Sequence, residues 1–148
     1  MSLVVRPRLV QETGEDYSEL MKFLVLLPAI IHLYIFVLEG FLWGKPRTNQ
    51  IFGLRPADVE ATRPLAFNQG VYNLLLAAAV LAGWSLWMGV PAFDKGPFAG
   101  QVLMVYGLGS ITVAGLTLLA ASPKLWRSAL IQLVPAVAGI AVVFTPGV

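Results

Sequence analysis

Between Met21 and Phe144 the chain carries four apolar stretches, Met21–Trp43, Leu65–Val90, Gly100–Ala121 and Leu125–Phe144. Each approaches or exceeds the ~20 residues that a helix needs to cross a bilayer. In lipid, backbone N–H and C=O groups must be satisfied within helices or closed barrels. Four such stretches therefore predict an all-α integral membrane four-helix bundle, with the N- and C-termini on the same side. Composition agrees: 57% of the 148 residues are hydrophobic and 12% charged, too few charges to cover a soluble domain of this size. The mean hydropathy is +0.77.

Residues 1–20 form a polar segment carrying Glu12, Glu15, Asp16 and Glu19, expected as a loop or a short surface helix, ahead of a transmembrane domain over 21–148. The first span follows this acidic segment and has no small-residue cleavage site after it, so it is not expected to be a signal peptide. Gly44-Lys45-Pro46 is expected to end the first helix. Pro91, Gly96 and Pro97 mark a tight turn between spans two and three. Ser122-Pro123 places a capping side chain before a proline at the first helical position of span four. Pro28 and Pro135 lie within spans and should bend them. Pro56–Ala61 is expected as a short surface helix in the first loop.

With four spans, loops 45–64 and 122–124 share one side of the membrane. That side holds Lys45, Arg47, Arg55, Arg63, Lys124 and Arg127, six cations against the four of the terminal side, Arg6, Arg8, Lys22 and Lys95. The positive-inside rule then predicts a cytoplasmic 45–64 loop. Trp43, Trp87 and Trp126 fall near helix ends, where interfacial aromatics belong. Trp84 and Trp87 are expected to face lipid or the interface.

Glu39 stands out because a charged side chain within an apolar span is expensive and commonly turns toward protein or water. His32, the one histidine of the sequence, lies seven residues earlier on the same helix face. A rise of ~1.5 Å per residue places Glu39 ~6 Å below the loop-side edge at Trp43, and His32 ~16 Å below it. From that same edge, Asn68 and Gln69 lie ~5 Å deep, Tyr72, Asn73 and Gln132 ~11 Å deep, and Thr117 ~6 Å deep on a face with Ser110 and Tyr106. Amides in lipid would carry unmet hydrogen bonds, so they should turn inward and meet. The expected result is a polar cavity opening toward loop 45–64, lined by Glu39, Asn68, Gln69, Tyr72, Asn73 and Gln132, with His32 at its floor.

Three segments carry a family resemblance: His32-Leu-Tyr-Ile-Phe-Val-Leu-Glu39-Gly-Phe-Leu-Trp43, Phe67-Asn-Gln-Gly-Val-Tyr-Asn73 and Ile131-Gln-Leu-Val-Pro-Ala-Val137. Together they resemble the domain of unknown function 1304 family of small bacterial membrane proteins, over about residues 22–144. The chain departs from that pattern in Gly40, where methionine is expected, and in Phe67, where a small residue is usual; neither change removes a polar group. The resemblance implies a four-span protein of a bacterial inner membrane and no established activity. The matching residues are His32, Tyr34, Glu39, Trp43, Asn68, Gln69, Gly70, Tyr72, Asn73 and Gln132.

The residue types restrict the chemistry. With no cysteine, disulfides, thiolate metal sites and cysteine nucleophiles are excluded. One histidine and one buried carboxylate do not make a closed zinc site, so no metal is expected, and no cofactor is indicated. No glycine-rich phosphate loop or serine-nucleophile motif occurs, and no basic run points to nucleic acid. What remains is proton transfer by His32 and Glu39, set against a structural alternative in which the two lock helix packing. The amides likewise serve either a ligand or interhelical hydrogen bonding. Three functional classes follow: a pocket for a small amphipathic or lipid-like molecule, with or without proton-transfer chemistry; an accessory or structural subunit of a larger membrane complex; and a small-solute or proton transporter. Gly107, Gly109 and Gly115, with Ala114, are expected to permit close helix packing. Besides membrane lipids, a homodimer burying a small-residue face such as Gly107/Gly115 is an expected partner arrangement.

Overall fold

A computed structural model describes residues 17–89 and 96–146. Among the described residues, helical residues 17–24 are followed by α1 (Leu27–Gly40), α2 (Pro46–Phe52), α3 (Val59–Trp87), α4 (Gly96–Ala121) and α5 (Trp126–Val143). Four segments are long and apolar enough to cross a membrane: Tyr17–Gly40, Pro56–Trp87, Gly96–Ala121 and Pro123–Val143. The chain thus has the character of a multi-pass membrane protein, built as an all-α bundle.

The first span is broken by Pro28. Proline has no N–H to donate back along the helix, and residues 25–26 form a turn between helical residues 17–24 and α1. In that turn the Leu26 N–H bonds the Phe23 carbonyl at 3.0 Å. The Lys22 carbonyl is thereby released, and it accepts the Trp84 indole N–H at 2.9 Å. Trp84 also packs against Phe23, ring centroids 5.5 Å apart. Trp84 and Trp87, expected at the lipid or interface, in fact pack against the core. A tryptophan whose N–H has a protein partner can leave the interface.

Loop 45–64 differs from expectation in two ways. Gly44-Lys45-Pro46 does not close the first helix, which ends at Gly40; Pro46 instead opens α2. Proline suits a first helical turn, where its missing N–H would be unpaired anyway. Gly53, at φ +62°, ends α2. The Pro56–Ala61 helix is not separate: the 3₁₀ turn Pro56–Asp58 runs directly into α3. Pro64 is therefore inside α3. Arg55 pairs with Asp58 at 2.7 Å, and that carboxylate raises the guanidinium pKa above its ordinary value through a hydrogen bond. Ser122 makes no side-chain cap; Pro123–Leu125 is a 3₁₀ turn leading into α5. The turn expected at Pro91 lies in part outside the described residues, as do residues 1–16 of the N-terminal segment.

Glycines set the helix spacing. A Cβ on Gly83 would sit 2.7 Å from Met104 N, and one on Gly100 would sit 2.6 Å from the Gly83 carbonyl oxygen. Gly70 lies against the Gly40 backbone, at 3.2 Å from such a Cβ. Gly107 faces Val80, and Gly115 faces Leu133 and Ala129. The pairings run in opposite sequence directions, so α1 and α3, α3 and α4, and α4 and α5 are antiparallel neighbours. Gly107 and Gly115 are buried inside the bundle, in the close helix packing expected of them, and so offer no face to a second copy; Gly109, given the same expectation, has open space around it. Val25, Ala29, Ala77, Val80, Met104, Leu108, Ile111, Ala136 and Val143 form the apolar core.

Candidate functional site

Four helices and one loop helix surround a cavity of about 450 Å³. From α1 come Ile31, Tyr34, Ile35, Leu38 and Glu39; from α3, Gln69, Tyr72, Asn73 and Leu76. These are residues spaced by three, four and seven, one stripe on each helix. From α5 and the turn before it come Leu125, Ser128, Ile131 and Gln132, while Ala114 and Leu118 close the α4 side. Ile51 and Phe52 of α2 complete the wall.

Glu39 and Asn73 join α1 to α3. The Asn73 Nδ2 donates to Glu39 Oε2 at 2.7 Å and to the Gln69 carbonyl at 3.0 Å. The close approach of Gly70 to Glu39 and Gly40 allows this short bridge. Glu39 has no ion-pair partner among the described residues, whose salt bridges are Lys22–Glu19, Arg55–Asp58 and Arg63–Glu60. Gln132 is 8% exposed and lines the cavity from α5.

Of the seven residues expected at the site, Glu39, Gln69, Tyr72, Asn73 and Gln132 meet at this cavity. Asn68 is exposed and does not line it. It precedes Gln69 by one residue, about 100° around the helix, and so leaves the inward stripe. His32 is fully buried and also lies outside the lining. Its Nδ1 lies 3.0 Å from the Pro28 carbonyl oxygen. A carbonyl can only accept, so Nδ1 carries the proton and Nε2 a lone pair. That Nε2 is buried without a partner among the described residues. Tyr106 and Thr117 are exposed on the outer side of α4, and the Ser110 hydroxyl donates to the Tyr106 carbonyl at 2.8 Å.

An unpaired buried acceptor costs ~1–3 kcal/mol. His32→Leu, which removes it while retaining an apolar side chain in the core, is expected to leave stability unchanged or raise it by about 1 kcal/mol. Thermal unfolding in a mild detergent would check this. A fall of several degrees would mean that Nε2 has a partner.

Sequence reasoning missed Ser128, Ile51 and Phe52. Ser128 sits four residues before Gln132, so extending the Gln132 stripe by one turn finds it. No group of three or more metal-ligating side chains occurs among the described residues.

A second depression, lined by Trp43, Lys45, Asn49, Glu60 and Arg63 with neighbouring residues, lies at the loop end of the bundle. Arg63 is held there by Glu60 at 2.7 Å and reaches the Trp43 carbonyl at 3.4 Å.

No curated protein and no solved structure matches the chain. A family model described as "Protein of unknown function (DUF1304)" matches residues 26–144, from the start of α1 to the end of α5. With most of its length matched, including all five helices and every residue of the Glu39 cavity, the chain belongs to the DUF1304 family of proteins of unknown function.

Proposed function

We propose that the protein binds a small amphipathic or lipid-like molecule between its helices, the polar end at Glu39, Gln69, Asn73 and Gln132 and the apolar body against the surrounding Ile and Leu side chains. The observation that carries this is the cavity itself: polar groups from three helices converge on one void whose remaining wall is largely apolar, the usual composition of a small-molecule site. Glu39 is the carboxyl within the lining, and it would carry any proton transfer to a bound molecule. His32 lies outside that lining. Binding is favoured over permeation by the fully buried Val80, Met104, Leu108 and Ile111, which fill the bundle with apolar side chains and leave no polar path through them.

Under the same proposal the protein sits in a bacterial inner membrane with loop 45–64 cytoplasmic and both termini opposite. Native mass spectrometry of gently extracted protein tests the binding proposal. A small molecule is expected on the wild type and not on Glu39→Gln. Wild type that carries no small molecule, but retains protein partners equally in both forms, would favour an accessory subunit of a membrane complex instead.

A further inference from the structure

The charge of the cavity narrows what can enter it, if it is a binding site as proposed above. Glu39 is the one carboxyl in the lining, and no Lys, Arg or His lines it among the described residues. Of the loop cations, Lys45 and Arg63 line the separate depression, and Arg63 is paired with Glu60. A carboxylate or phosphate head would thus meet a carboxyl with no counter-charge, and burying a charge without a partner is expensive. A head that brings its own positive charge has the opposite balance.

We propose that the occupant is a lipophilic primary amine, a cationic amphiphile whose ammonium group pairs with Glu39, and not a fatty acid or an anionic lipid. Asn73 Nδ2, donating to Oε2 at 2.7 Å, orients the carboxylate and leaves Oε1 for the incoming ammonium. An ammonium has three N–H donors. One engages Glu39, and the side-chain carbonyls of Gln69 and Gln132 are acceptors in the same lining. The alkyl body runs against Ile31, Ile35, Leu76, Leu118 and Ile131. No covalent step is involved.

The test uses three probes of one chain length, octylamine, octanol and octanoate, with the full protein in nanodiscs at neutral pH and bound probe counted by native mass spectrometry. Octylamine is expected to bind at least tenfold more tightly than octanoate. Glu39→Gln should weaken octylamine at least tenfold and reduce the gap to octanoate. Ala114→Phe, which fills the cavity without touching its charge, should weaken all three probes. It keeps the test open if Glu39→Gln fails to fold. Octanoate or octanol bound by the wild type as tightly as octylamine would overturn the amine assignment and leave the cavity a binding site. Absence of every probe from the wild type, or equal binding of all three by wild type and Ala114→Phe, would overturn the cavity as a site together with the amine.

Discussion

Gly100→Ala is expected to lower stability by about 3 kcal/mol, the upper end of the usual range for overpacking. The added Cβ would overlap the backbone nitrogen of Trp87 and lie 2.6 Å from the Gly83 carbonyl oxygen. Both obstacles are main chain, so no rotamer change relieves them. The helices α3 and α4 must move apart, and Gly83, itself against Met104 N and the Gly100 carbonyl, moves with them. Contact between these two helices carries much of the core, including Val80 and Met104. Gly109→Ala is the control. A Cβ there has nothing within 4 Å, and alanine is favoured over glycine in a helix by about 1 kcal/mol. Thermal unfolding of the three proteins in one detergent should order them Gly109→Ala at or above wild type, and Gly100→Ala far below. Melting of Gly100→Ala within two degrees of wild type would refute the close packing of these helices.

The second large effect is non-additive. Asn73→Leu removes the donor that holds Glu39 and leaves a half-buried carboxyl without its protein partner. Loss of one member of such a pair costs about 1–3 kcal/mol, more for a charged group. Replacing both members by apolar side chains of similar shape is often neutral or stabilising. Asn73→Leu alone is therefore expected to be less stable than the double variant Glu39→Leu/Asn73→Leu, which should return close to wild type. The coupling energy from the full cycle measures the bridge between α1 and α3. Measured membrane cycles average ~0.6 kcal/mol with a maximum near 1.7, so a value near zero would show that Glu39 does not depend on Asn73.

The spans and most of the cavity were legible because lipid leaves few options for backbone and amide groups. Glu39, Gln69, Asn73 and Gln132 could be brought together from depth alone, since each is too polar to face acyl chains. Depth does not fix azimuth, however. Asn68 has almost the same depth as Gln69 yet points about 100° away. His32 shares a helix face with Glu39, but its ring is held at the Pro28 carbonyl, and a side-chain bond of that kind has no signature in hydropathy.

Loop 45–64 was the least legible segment. Gly44-Lys45-Pro46 reads as a stop, although the same proline begins α2. The helical signal was present in Thr48, Ile51 and Phe52, at spacings of three and four. Thr48 is buried and the other two line the cavity. A helix of seven residues is too short to stand out by periodicity, and its place is fixed by tertiary packing.

One side of the cavity wall belongs to α2, a seven-residue segment bounded by Gly44 at φ +90° and Gly53 at φ +62°. The other lining helices also hold the bundle together, so changes to their inward stripes disturb the fold. Ile51 and Phe52 lie outside the four spans, Phe52 packing on Trp43 with ring centroids 5.2 Å apart. The architecture is therefore modular at this one place: exchange of the Pro46–Phe52 segment can retune the size and shape of what fits, while the scaffold that presents Glu39 stays as it is.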